Sequence, residues 1–139
     1  MGRSRGGLDT KIHLAAAGLK QVLGFHLFPG QAHDAPPGRE LLKKLGTDNL
    51  QVPLIMDRAY DGNETRLLAQ SLGFEPVVPP KETRRDPWTY DTELYKRRNE
   101  IERLFGGIKR FRRVFNRYDK TDLMFTAFIT IALIADLLR

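Results

Sequence analysis

The chain has 139 residues, with 23 Lys and Arg against 17 Asp and Glu, a net charge of +6 and a sequence pI near 9.8. A hydrophobic fraction of 41% with 29% charged residues suits one soluble globular domain. The absence of cysteine excludes disulfides and thiolate zinc sites and suggests a cytosolic home, and the positive balance favours a polyanion such as nucleic acid as partner.

The N-terminal "MGRSRGGLDTK" has no apolar run after its charges, so it is not a signal peptide, and Gly6 replaces the Ser or Thr that myristoylation needs. Lys11 to Ala17 and Val22 to Phe28 are apolar runs of strand length, with "AGLKQ" between them and Gly18 as a turn residue, so a β-hairpin is expected. "PGQAHDAPPG" breaks regular structure, and "RELLKKLG" predicts a short amphipathic helix closed by Gly46. Val52 to Met56 predicts a buried strand with Asp57 at its C-terminal end. "NETRLLAQSLG" predicts a helix with Asn63 as N-cap and Gly73 after its end. "FEPVVPP" reads as an edge strand, because proline cannot donate to a ladder, and "KETRRDPWTYD" as a basic loop.

A long helix is expected from about Thr92, and a terminal one capped near Thr121. The terminal "LMFTAFITIALIADLL" is shorter than a membrane span and is interrupted by Asp136, so it predicts a buried helix. Strands alternating with helices indicate a mixed α/β sheet with helices on its faces.

On the long helix, Tyr95, Arg98, Glu102 and Lys109 fall within an arc of roughly 60° at about 100° per residue. Leu94, Ile101, Leu104, Ile108 and Phe111 lie on another arc, the core-facing one. Asp57 and Glu102 are the candidate functional acids, since ligands bind at the carboxyl ends of strands in open α/β sheets. Two such acids suit a hard cation, Mg²⁺ or Mn²⁺. The structural alternative has Asp57 capping a turn and Glu102 pairing with Arg98. The basic cluster Lys109 to Arg113, continued by Arg117 and Lys120, offers phosphate contacts or a solvated face. His33 and Asp34 form a possible metal or general-base pair, and His13 reads as a core or edge histidine.

The unbroken Tyr-x2-Arg-x3-Glu-x6-Lys pattern resembles the signature of insertion-sequence DDE transposases of the four/five type. "SRGGLDTKIH" (Ser4 to His13), "PGQAHD" (Pro29 to Asp34), "MDRAYD" (Met56 to Asp61) and "FNRYDKT" (Phe115 to Thr121) are similar to segments of the insertion sequence five family, in the same order. The resemblance covers essentially the whole chain. It implies an RNase H-like fold and metal-dependent phosphoryl transfer on DNA at terminal inverted repeats and target sites, by an enzyme that acts as a homo-oligomer in a bacterial, nucleoid-associated setting. Asp57 would be the second catalytic aspartate and metal ligand, and Glu102 the catalytic glutamate and metal ligand. Tyr95, Arg98 and Lys109 would flank the glutamate, with Arg97, Arg110, Arg112, Arg113 and Lys120 on DNA.

The family's first catalytic aspartate lies on a strand upstream of "SRGG", and Asp9 does not match it. The expectation is therefore a partial catalytic domain, residues 1–139, lacking its first strand and inactive unless an N-terminal transposase product supplies it. Ala59 stands where the family prefers glycine, and Gly106-Gly107 suggests a bend or close contact. The alternatives are, from another class, a non-enzymatic DNA-binding regulatory fragment or remnant and, third, a different RNase H-like nuclease acting on RNA.

Overall fold

Period-two apolar patterning in the first thirty residues and period-3.6 patterning near the C-terminus fold onto one another. The computed structural model describes residues 2–4, 7–46 and 51–139, so Arg5 and Gly6 of the first motif lie outside the described residues. Strands β1 (Gly2–Ser4), β2 (Gly7–Gly18) and β3 (Gln21–Pro29) form an antiparallel sheet in the order β1-β2-β3. Ile12 pairs with Leu27, and Phe25 lies two residues before Leu27 on the same face. These three pack on a core of Ile108, Val114, Phe125, Ile129 and Ala132. That core comes from α4 (Asn99–Lys109), α5 (Arg112–Phe115) and α6 (Asp122–Leu137). Thr121 caps α6, its side chain accepting from the Met124 amide at 3.3 Å. His13 is buried in β2 with its ring edge-on to Phe28, which fits a core histidine.

The hairpin turns at Leu19 and Lys20, inside the expected "AGLKQ". Lys20 takes the positive φ of 73°, while Gly18 is still paired with Gln21. The sheet and α4–α6 make up one compact unit, Met1–Ala32 with Asn99–Arg139.

The other unit, His33–Arg98, is a parallel β-α-β element with a helix before it. Strands β4 (Val52–Ile55) and β5 (Phe74–Val77) pair in parallel, Val52 opposite Phe74 and Ile55 opposite Val77, and α2 (Asn63–Ser71) crosses between them. The core holds Leu42, Met56, Ala69 and Val78, with Tyr60, Phe74 and Trp88 against it. Helix α1 (Ala35–Leu45) begins inside the expected breaker, because Pro36 and Pro37 occupy its first turn, where no amide partner is needed. Gly38 is buried there with the Tyr60 ring against it, so a side chain at 38 would collide with the ring. Gly62, not Asn63, is the N-cap of α2. Gly73 follows α2 at φ 86°, the left-handed geometry expected of it.

The expected long helix is not continuous. Helix α3 (Thr92–Tyr95) is followed by a 3₁₀ turn over Lys96–Arg98 before α4 begins. Tyr95, Arg98, Glu102 and Lys109 are therefore carried by three successive elements rather than by one helix. Helix α4 ends at Lys109, and Phe111 serves as N-cap of the short α5. Gly106 and Gly107 do not interrupt α4. Gly107 is instead the close contact, its missing Cβ lying 2.6 Å from the Asp136 carboxylate oxygens.

Candidate active site

Asp57 follows the C-terminal end of β4, where the apolar run gives way to a 3₁₀ turn over Arg58–Tyr60. Its Oδ1 accepts from the Ala59 amide at 3.2 Å, so it does cap that turn. Its Oδ2 accepts from Arg98 Nη2 at 2.5 Å, and the Asp57 side chain remains 45% exposed. The carboxylate is thus held on one oxygen by backbone and on the other by a guanidinium, with an open face to solvent. This arrangement selects a fixed orientation for an acid at the ligand-binding end of a parallel strand.

The turn over Lys96–Arg98 carries the guanidinium that bonds Asp57. Tyr95, one turn earlier, sits with its ring edge-on to Tyr90 at 5.6 Å. Burial pushes its hydroxyl pKa above the ordinary tyrosine value, with Asp57 adding and Arg98 opposing. Tyr95 is therefore an O–H donor at neutral pH. Tyr60 is pushed up more strongly, by burial first and then by the charges of Asp34 and Asp57.

Glu102 is exposed in the first turn of α4, and Lys109 ends that helix with its ammonium 5.9 Å from the Phe105 ring centroid. Asp57, Tyr95 and Arg98 belong to the unit His33–Arg98, and Glu102 and Lys109 to the other. Arg97, Arg110, Arg112, Arg113 and Lys120 are all exposed, with Arg113 lying 4.1 Å over the Phe128 ring. Arg117, read with the basic cluster, has a structural place instead. It donates to Thr10 Oγ1 at 2.6 Å, the Asp119 carbonyl at 3.0 Å and Asp122 Oδ1 at 2.6 Å, and its side chain is 11% exposed. Those bonds hold the Asp122 carboxyl below the usual carboxylate range.

A second acid of "MDRAYD" gave no functional signal in the sequence. Asp61 is 4% exposed, and its carboxylate accepts from the Lys81 amide at 3.1 Å, Lys81 Nζ at 3.2 Å and Arg84 Nε at 3.4 Å. Arg84 also donates to the Asp61 carbonyl and to Asn63 Oδ1, both at 2.9 Å. Arg84 and Arg66 approach the Trp88 ring at 4.5 and 3.6 Å, and Trp88 Nε1 donates to the Val78 carbonyl. Asp61 thereby ties the basic loop after β5 to the turn that carries Asp57.

Residues 2–137 match the family model described as the transposase DDE domain. The chain belongs to the DDE transposase family. It is also 32% identical over 127 residues to a Brucella ovis protein named as a transposase for insertion sequence element IS6501, spanning 90% of this chain and 95% of that protein. Membership implies DNA as the substrate class and divalent metal ions as cofactors in general. Taken one by one, Asp57 and Glu102 are exposed carboxylates, the hard oxygen donors that such a cation takes. Among the described residues no three acids or histidines gather into a metal-holding group. Nor is any described helix of this transposase chain long and apolar enough to cross a membrane.

Proposed function

We propose that this chain carries the second aspartate and the glutamate of an RNase H-like catalytic domain that cleaves and joins DNA at insertion-sequence ends. The observation that supports this most is Asp57, exposed at the end of a parallel strand and held by Arg98 of the Tyr-Arg-Glu-Lys signature. The described strands form two separate sheets, one antiparallel and one parallel, rather than the single mixed sheet expected; they support the α/β class, on which the RNase H-like reading is built.

Asp57 and Glu102 would hold Mg²⁺ or Mn²⁺. When bound, the ion polarises a phosphoryl oxygen and makes water or a DNA 3′-hydroxyl a nucleophile near neutral pH. The protein's own groups do the rest. Arg98 and the Ala59 amide fix the Asp57 carboxylate, and Tyr95, protonated at neutral pH, offers an O–H to a phosphate oxygen. Lys109 and the exposed Arg97, Arg110, Arg112, Arg113 and Lys120 bind the phosphate backbone of terminal inverted repeats and target DNA.

A clamp of this kind shares three carboxylates, so full activity is proposed to require another acid, supplied with a strand by an N-terminal transposase product. The working enzyme is proposed to be a homo-oligomer on nucleoid DNA. The test is strand cleavage of an inverted-repeat duplex with Mg²⁺ or Mn²⁺, by this chain alone and after fusion to the N-terminal product. The fusion is expected to cleave and to lose activity on Asp57→Ala or Glu102→Ala. A chain active alone, or a fusion that tolerates both substitutions, would refute the assignment.

A second reading, a regulatory fragment that only occupies element ends, rests on the exposed basic residues after α4. It predicts metal-independent, salt-sensitive DNA binding that survives both substitutions, with no cleavage by the fusion.

A further inference from the structure

Helix α2 carries a half-buried arginine that lies outside every signature segment. The guanidinium carbon of Arg66 is 3.6 Å from the centroid of the Trp88 ring, and its Nε is buried without a hydrogen-bond partner. A shielded cationic donor of this kind costs free energy until an anion meets its charge. Arg84 lies over the same ring at 4.5 Å, so the nearest guanidinium is a second cation. Burial first and the charge of Arg84 second push the Arg66 pKa below the ordinary arginine value, with Asp61 opposing. The Asp61 oxygens, however, are engaged by others, Oδ1 by Lys81 Nζ and Oδ2 by the Lys81 amide and Arg84 Nε. Arg66, Lys81 and Arg84 thus gather about one carboxylate, and positive charge is in excess. Stacking alone explains why Arg66 lies flat on an indole, but not why two like charges share one ring.

The place of the cluster in the fold points to its ligand. Arg66 is in the first half of α2 and Arg84 in the loop after β5, so both flank the carboxyl ends of the two parallel strands. That is the ligand-binding end of such a unit, and Asp57 lies there too. The Arg58–Glu82 ion pair at 3.3 Å and the bonds from Lys81 and Arg84 to Asp61 tie the loop to the Asp57 turn. A guanidinium stacked by its face presents its edge N–H groups sideways, in the geometry that takes a phosphate. We propose that Arg66, held flat by Trp88 and backed by Arg84, binds a phosphate of the DNA backbone beside the Asp57 site. Arg66 is a positioning residue in this scheme, fixing the strand rather than touching the reacting atoms. The inference rests on DNA as the substrate, but on neither the metal ion nor cleavage. Inorganic phosphate presents the same oxyanion and is the competing ligand.

The experiment uses the full chain without metal ion and follows two signals, the emission of Trp88, the single tryptophan, and the anisotropy of a labelled DNA duplex. Adding duplex to the native chain is expected to shift Trp88 emission with the same midpoint as the anisotropy. Inorganic phosphate at equal ionic strength is expected to leave that emission alone. Arg66→Gln is expected to weaken duplex binding about tenfold and to flatten the slope of log affinity against log salt by about one. Arg66→Lys also loses the flat stack but keeps the charge, so it is expected to retain the native slope while losing as much urea stability as Arg66→Gln. A purely structural arginine would give stability losses in both variants and a slope unchanged in either. Anisotropy that responds to duplex while Trp88 does not, or a native slope in Arg66→Gln, overturns the proposal and leaves the DNA reading standing. A native chain that binds no duplex overturns both. A Trp88 shift with inorganic phosphate but not with duplex gives the site to a free phosphate and overturns the assignment to DNA.

Discussion

Replacing Asp61 with asparagine tests whether this buried acid organises the turn that holds Asp57. The asparagine keeps the shape and can still accept from the Lys81 amide, but it loses the charge that Lys81 Nζ and Arg84 Nε face. The Lys81 ammonium is more than half exposed and contributes little. The Arg84 contact is 23% exposed on the arginine side and 5% on the aspartate side, so its charge-assisted bond is only weakly screened. Losing that bond, and turning an amide N–H toward cationic donors, costs about 2–3 kcal/mol. Trp88 is the only tryptophan and lies in the same unit under Arg66 and Arg84, so its fluorescence in a urea titration reports that unit. The pH dependence gives the sign. Burial pushes the Asp61 carboxyl up, but the bonds from Lys81 and Arg84 outweigh it and leave the pKa below 3.8. The native chain therefore has this stabilisation in full above the unfolded value and loses it as pH falls through the lower folded value. The gap between native and variant should hold at neutral pH and close in acid. A gap below about 0.5 kcal/mol at neutral pH, or one that widens on acidification, would refute the reasoning.

The adjacent glycines of α4 should respond in opposite directions. Gly106→Ala adds a methyl that meets nothing within 4 Å and should stabilise by roughly 0.5–1 kcal/mol. Gly107→Ala drives its methyl to 2.6 Å from Asp136 and should cost about 1–2 kcal/mol in the same urea titration. Equal effects at both sites would show that the contact with Asp136 is not tight. On DNA, Arg110→Ala and Arg112→Ala should each flatten the slope of log affinity against log salt by about one, read by fluorescence anisotropy. Arg117→Ala should leave that slope alone and lower the unfolding midpoint, because its donors are spent on Thr10, Asp119 and Asp122.

The parts of this fold governed by local chemistry were legible in the sequence. The hairpin, the helix closed by Gly73 and the Thr121 cap rest on periodicity or a single special residue and lie where those signals place them, and β4 leads to Asp57 as its apolar run indicates, though Val52 and Pro53 are exposed rather than buried. The misreadings came where a tertiary contact overrode local preference. Prolines read as breakers begin α1, because its first turn needs no amides. The helix expected from Thr92 tightens at Lys96–Arg98, where Arg98 reaches an acid 41 positions earlier, a distance no local pattern encodes. Arg117 looked like another phosphate contact because sequence shows charge but not the partner 107 positions away at Thr10.

Arg98 therefore has a double place in the reasoning. A guanidinium on Asp57 Oδ2 does for that oxygen what a metal ion would do, offsetting its charge and fixing its direction. It also competes for the same lone pairs, so an ion bound there has to share Asp57 with Arg98 or displace it. Charge explains why the chain tolerates a carboxylate at the end of an apolar strand, since an unpaired one would be costly beside the Met56 core. It also explains why a signature centred on an acid carries an arginine four positions before it. That arginine bonds Asp57, an acid 41 positions earlier in the chain.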